Sequence, residues 1–278
     1  MEYSAIQWAR GVNVTNKTLQ GKNIFITGAS GGIGAYIAKL CAERGANLFL
    51  FARSLDKLEQ LKDELEDRYS SNVNVYKLDV SNTNEIEHVF NKIIHKVDQI
   101  DVLINNAGFG VFRSAHEATI EEIKGMFDVN VIGLMTCTRM VLPMMKQQQN
   151  GHIINIASQA GKIATPKSSV YSATKHAVLG YTNSLRMEVE DDQIFVTAVN
   201  PGPIATNFFD IADEKGTYVK NVQRYMLKPE YVAGKIVAAI LTKRREINLP
   251  RWMNAGSVIY SLFPNLFERI GKRAFNKK

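Results

Sequence analysis

The sequence predicts an α/β fold: a doubly wound parallel sheet of about seven strands with helices on both faces. Three observations carry that prediction. Short apolar runs alternate with longer amphipathic stretches along most of the chain. The short runs are near-continuously apolar, as strands covered on both faces must be. A glycine-rich turn, TGASGGIG at 27–34, separates the first such run from the first helix-like stretch.

The first strand is expected at 23–27 (NIFIT), followed by the glycine turn and a helix through AYIAKLCAERG. Further strands are expected at 47–51, 73–78, 102–104, 152–156, 195–199 and 246–249. Between them lie amphipathic stretches at 55–69, 83–95, 127–142, 170–189 and 229–241. Ser81 and Thr83 read as helix-start residues ahead of Ile86 and Val89. Strands alternating with helices imply right-handed crossovers and a parallel sheet. Such sheets take their ligands beyond the carboxyl ends of the strands. No linker, compositional break or internal repeat interrupts 20–250. The expected organisation is therefore an N-terminal extension (1–19), one domain (20–250) and a basic, aromatic-rich, amphipathic tail (251–278).

The chain has 278 residues, 45% hydrophobic and 22% charged, which is ordinary for a soluble protein with a sizeable core. Cys41 and Cys137 both sit in apolar, helix-like contexts, and two reduced core thiols in a cytoplasmic setting fit them better than a disulfide. The five histidines (88, 95, 116, 152, 176) show no ligand spacing, so no metal is expected. Residues 1–20 lack the apolar core of a secretory signal. No stretch approaches the roughly 18 consecutive apolar residues of a spanning helix.

Charge is unevenly placed. The formal excess is +7. Residues 243–278 contain nine basic and two acidic side chains, hence +7, while the rest has 25 of each. The body is electrically balanced, which argues against nucleic-acid binding.

The chemistry-bearing residues cluster at the predicted carboxyl edge. In the glycine turn, backbone N–H groups and the following helix dipole offer a phosphate site. Its spacing, Gly28, Gly32 and Gly34, gives T-G-x-x-x-G-x-G. Tyr171 and Lys175 in YSATK lie four apart, on one helix face. A cation one turn away is expected to pull the phenol down from its ordinary value of about 10 towards the working range. NNAG at 105–108 follows the fourth strand, and Asn130 lies within a helix. Ser158 comes just past the fifth strand, 13 residues before Tyr171, and NPG at 200–202 follows the sixth.

Together these motifs, complete and in order over roughly 20–250, resemble the short-chain dehydrogenase/reductase superfamily in its single-domain, Rossmann-like branch. The resemblance implies Tyr171 as general acid–base and Ser158 as the hydrogen-bond partner of the substrate oxygen. It implies that Lys175 holds the nicotinamide ribose and lowers the tyrosine pKa, and that Asn130 holds a water linking Lys175 to a proton relay. The 28–34 turn would take the pyrophosphate, Asn106 to Gly108 the adenosine-ribose side, and Pro201 and Gly202 would flank the nicotinamide. The expected cofactor-binding set is Gly28, Ser30, Gly32, Ile33, Gly34, Arg53, Ser54, Asp79, Val80, Asn106, Ala107, Gly108, Asn130, Tyr171, Lys175, Pro201, Gly202, Ile204 and Thr206. A homodimer or homotetramer is also implied.

The second strand ends FLFARSLDKL, with no acid between Glu43 and Asp56. Ala52 stands where an NAD site offers a carboxylate to the ribose 2′-hydroxyl, and Arg53 follows it. A guanidinium pairs with a 2′-phosphate, and Ser54 and Lys57 can add to it. NADP(H) is the expected cofactor, with NAD(H) as the alternative. The segment after Pro201 supplies Ile204, Phe208, Phe209, Ile211, Tyr218, Tyr225 and Met226, with Phe109 and Phe112 beyond NNAG. This points to a lid over an apolar carbonyl or alcohol. In the tail, Leu266 and Ile270 stack at i, i+4, with Phe267 and Ala274 on a neighbouring stripe. Two readings stand: peripheral contact with an anionic membrane, or packing on the core or a partner subunit, since Pro264 interrupts the helix. A cofactor-sensing regulator and a membrane adaptor are the non-enzymatic alternatives.

Overall fold

The computed structural model of the chain describes residues 18–213 and 216–275, and the side chains of all of these but 217 and 270–275. Seven strands form one sheet: β1 Asn23–Thr27, β2 Asn47–Ala52, β3 Val73–Lys77, β4 Val102–Asn105, β5 Gly151–Ile156, β6 Ile194–Pro201 and β7 Glu246–Leu249. Their order is β3-β2-β1-β4-β5-β6-β7, and every neighbouring pair is parallel. The winding reverses between β1 and β4. That reversal opens a crevice at the carboxyl edge, where ligands of such sheets sit.

The helices are α1 Gly32–Ala42, α2 Leu55–Arg68, α3 Thr83–Ile94, α4 Ile120–Phe127, α5 Leu134–Gln147, α6 Ser169–Glu188, α7 Phe208–Ala212, α8 Thr217–Val222, α9 Pro229–Val237, α10 Arg251–Leu262 and α11 Pro264–Phe275. The apolar strands serve two cores. Ile24, Ile26, Leu48 and Leu50 face α1, α2 and α9, while Phe25, Phe49 and Phe51 face α3, α5 and α6. Phe25 stacks on Phe49 at 4.6 Å and Phe51 on Phe90 at 5.0 Å. Such pairs add about 0.5–1.5 kcal/mol each beyond their burial. Neither face is left to water, which is why these strands do not alternate.

Most expected elements fall within two residues of their place, and the exceptions have physical causes. The stretch expected at 127–142 is longer: α4, a π-helical segment Asp128–Gly133, and α5 form one run. It begins at Thr119, which forms a capping box with Glu122. The run Ile120–Gln147 has the length and hydropathy of a spanning segment. Its apolar side, however, packs on the sheet through Cys137, Val141 and Met145. The residue that caps α3 is Asn82, between the two expected candidates, and its side chain accepts a hydrogen bond from Glu85 N at 3.2 Å. The last expected domain helix stops at Val237, four residues early, because the chain turns through a left-handed Leu241 before β7.

Cys41 and Cys137 are free and fully buried, and burial pushes both thiols up to about 12, which leaves them unreactive. No group of His, Cys, Asp and Glu able to hold a metal ion occurs among the described residues. The extension at 1–17 lies outside the described residues; Leu19 belongs to the core. The tail forms α10 and α11, broken at Pro264, with Ser257 of α10 buried.

Candidate active site

Short side chains and glycines let four strand ends converge. In the turn between β1 and α1, Gly28 and Gly32 adopt left-handed φ values of 67° and 54°. Gly34 is required for a different reason: a Cβ there would lie 2.4 Å from the Gly28 carbonyl and 2.6 Å from Asn106 Nδ2. Gly31 is extended and open, so neither reason applies to it. Thr27 and Asn106 lock this turn to the end of β4. Thr27 Oγ1 accepts hydrogen bonds from the backbone N–H groups of Asn106 and Ala107 at 3.0 and 3.1 Å. Asn106 Nδ2 donates to the carbonyls of Thr27 and Gly28 at 2.9 and 3.0 Å. No side chain caps α1. Its first N–H groups therefore face the crevice beside a backbone wall that carries no Cβ, which suits a pyrophosphate.

Beyond the turn lies a cleft of about 680 Å³. Gly28, Gly32, Ile33, Arg53, Asn106, Ala107 and Gly108 line one end. Ser158, Tyr171, Lys175, Pro201, Gly202, Ile204 and Thr206 line the rest of the polar wall. The expected binding residues Ser30, Gly34, Ser54, Asp79, Val80 and Asn130 do not line it. Gly34 sits beneath the turn, and Ser54 begins α2 next to Arg53. Asp79 Oδ1 accepts from the backbone and hydroxyl of Ser81 at 2.9 and 2.8 Å.

At the inner end α6 presents Tyr171 and Lys175 together. Tyr171 is hydrogen-bonded to Ser158, and its ring packs against Phe112 and Phe208 at 5.9 and 5.7 Å. Lys175 Nζ lies 5.8 Å from the Tyr171 ring centre and donates to the Ile156 carbonyl at 2.8 Å. The electrostatics differ from the sequence expectation. Burial pushes the phenol up to about 12, with the Ser158 hydrogen bond opposing it, and burial pulls Lys175 down to about 8. Desolvation of the buried phenol dominates, so its net shift is upward, opposite to the expectation.

Asn130, in the π-helical segment, is buried behind Gly108. Its Nδ2 donates to the Phe109 carbonyl and Thr174 Oγ1 at 2.8 and 3.1 Å, and its Oδ1 accepts from Phe109 N at 3.0 Å. Both amide hydrogens are thus taken by protein, so a water at this side chain has only Oδ1 to bind. Gly108 permits the arrangement: a Cβ there would lie 3.0 Å from Asn130 Oδ1 and 3.6 Å from Lys175 Nζ.

The opposite wall is apolar. Phe109, Phe112, Phe208, Phe209, Ile211, Tyr218 and Tyr225 line it as expected, and Met226 does not. Sequence reasoning missed several contributors. Gly110 is needed because a Cβ there would meet the Tyr171 ring at 2.8 Å. Trp252, Met253 and Phe267 of the tail also line the cleft. The GFG run that overlaps NNAG signals the first. The aromatic residues of the tail signal the others only once its position is known.

The family description "short chain dehydrogenase" matches residues 22–216. An NADP-dependent 3-hydroxy acid dehydrogenase from Schizosaccharomyces pombe is 37% identical over 236 residues, spanning 82% of this chain and 90% of that protein. An alcohol dehydrogenase from the archaeon Thermococcus sibiricus, solved with 5-hydroxy-NADP, superposes with a TM-score of 0.74 at 29% identity over 83% of this chain and 96% of its own. A short-chain dehydrogenase/reductase from Burkholderia phymatum, solved with NAD, gives a TM-score of 0.82 at 25% identity over 90% and 96%. The chain therefore belongs to the short-chain dehydrogenase/reductase family of oxidoreductases, enzymes acting on CH–OH groups with a nicotinamide cofactor.

Proposed function

We propose that the chain interconverts a carbonyl and an alcohol on an apolar small molecule, using NADP(H), in the cytoplasm and as a homodimer or homotetramer. The observation that carries the reading is the placement of Tyr171, Ser158 and Lys175 at the floor of a cleft whose far end holds Arg53. When bound, the cofactor supplies or accepts the hydride. The protein's residues govern the proton. With its phenol pushed up to about 12, Tyr171 keeps its proton through the neutral range and can give it to a substrate oxygen. Ser158 Oγ accepts from Ala160 N at 3.0 Å and reaches the Pro201 carbonyl at 3.5 Å. That second contact is long, so the hydroxyl is readily turned to donate to substrate instead. Protonated Lys175 then stabilises the phenolate left at Tyr171. The facing phenyl rings exclude water and favour an apolar substrate.

Cofactor choice rests on Arg53, just past the end of β2 and in the cleft lining, with no acid between Glu43 and Asp56. Binding of NADPH and NADH, measured by titration, tests it. Arg53→Ala is expected to weaken NADPH by about 10- to 100-fold and leave NADH nearly unchanged, the range for a lost charge-assisted contact. Equal dissociation constants for the two dinucleotides in the parent would remove Arg53 from this role. NADPH oxidation against a panel of aldehydes, ketones and acyl-chain carbonyls identifies the substrate class.

A further inference from the structure

The helix α10 is apolar on two sides. Its inner side turns Met253 and Gly256 to the cleft and buries Ser257. Its outer side carries Val258, Ile259 and Leu262, and the stripe continues through Phe263 to Leu266 at the start of α11. These five side chains are between 51% and 67% exposed. The sole charged residue of α10 is Arg251, at its first position. A surface helix of a soluble protein normally turns a polar face outward, and a contiguous exposed apolar patch marks an interaction surface.

The same helix forms the rim of the cleft. Trp252 and Tyr225 both line it, both stand about half exposed or more, and their rings meet at 6.3 Å. Arg224 lies over the Tyr225 ring at 4.5 Å. Aromatic rings with a polar edge and a neighbouring cation favour the boundary between water and lipid. The charge of the segment agrees. By sequence, 251–278 has six basic residues and one acidic, hence +5 of the formal excess of +7, and Arg251 and Arg269 are exposed. A second copy of this chain seated on the same face would bring one basic segment against another. An anionic surface is complementary instead.

We propose that the outer face of α10 and the start of α11 rests on an anionic bilayer, setting the cleft mouth against the lipid. The substrate then is a membrane-dissolved, long-chain carbonyl or alcohol that enters past Trp252 without crossing water. The docking stands on the exposed stripe and its charge; the substrate class rests also on the oxidoreductase reading above.

The test uses the full chain and the double variant Val258→Glu, Leu262→Glu, neither of which lines the cleft. Cosedimentation is measured with phosphatidylglycerol–phosphatidylcholine vesicles and with phosphatidylcholine alone. NADPH oxidation is measured with propanal in solution and with hexadecanal dissolved in the mixed vesicles. The parent is expected to bind the anionic vesicles about tenfold better than the neutral ones, and the variant to lose that binding by about tenfold or more. Activity on propanal should be unchanged, which also shows the variant is folded, while activity on hexadecanal falls about tenfold. Equal pelleting of parent and variant, or indifference to lipid charge, would overturn the docking. So would a halving of mass in sedimentation velocity for the variant with vesicle binding intact, since the face would then be a contact between copies. Oxidation with neither aldehyde would count against the substrate and the activity together, and pelleting would still decide the docking.

Discussion

Tyr171→Phe is expected to lower kcat by about 10²- to 10⁴-fold, the usual range for a lost general acid–base, while NADPH affinity stays within about twofold. The substitution keeps the ring that packs against Phe112 and Phe208, so the floor of the cleft stays filled. It removes only the hydroxyl bonded to Ser158. The glycine turn, the Thr27 and Asn106 brace and Arg53 lie elsewhere in the cleft and are untouched. Stopped-flow or steady-state NADPH oxidation, paired with dinucleotide titration on the same preparation, separates the two effects. A variant that turns over like the parent would contradict the assignment of the proton donor.

Gly34→Ala should be nearly as severe, by another route. The added Cβ would meet the Gly28 carbonyl, Asn106 Nδ2 and the Ala29 backbone at 2.4, 2.6 and 3.1 Å. Two of these three neighbours are main chain, and the third is pinned by its bonds to Thr27 and Gly28. The turn must therefore shift. Overpacking of this kind costs about 1–3 kcal/mol, a fall in Tm of about 2–12 °C for a domain of this size. Because the displaced backbone is the turn proposed to hold the pyrophosphate, NADPH affinity should fall by about tenfold or more. Gly31→Ala, in the same turn with open space around its Cβ position, should leave Tm unchanged. Thermal unfolding of both variants checks the pair; equal Tm values would contradict the close-approach account.

The sheet was legible because both of its faces are covered, so Ile24, Phe25 and Ile26 read as one apolar run although they serve two cores. The candidate site was legible for a related reason: the glycine turn, NNAG, Ser158 and NPG follow strand ends, which periodicity locates, while Tyr171 and Lys175 share one face of α6. What stayed hidden depends on contacts distant in sequence. The π-helical segment ends at Gly133, where a Cβ would clash with the Val80 carbonyl at 2.2 Å, a packing constraint that no local pattern announces. Asn82 was passed over because Ser81, Asn82 and Thr83 are all competent caps and only the fold selects one. The upward shift of Tyr171 was missed because a motif shows its lysine neighbour but not the depth at which both are buried. In the tail, the packing reading describes one side of α10, which lines the cleft, and leaves the other side bare. The predicted stripe through Ile270 and Ala274 falls among side chains outside the described set.

In the proposed reaction, Tyr171 delivers the proton under the control of Lys175, whose amine burial has pulled down to about 8. An amine with a lowered pKa is charged below that value and neutral above it. The phenol, near 12, keeps its proton across the same range. The measurement is kcat/KM for carbonyl reduction against pH, which reports ionisations of the free enzyme. It should be flat up to about pH 8 and then fall about tenfold per pH unit, and Lys175→Met should lack that limb. A parent profile that stays flat to about pH 10, or the same limb in the Lys175 variant, would contradict the account.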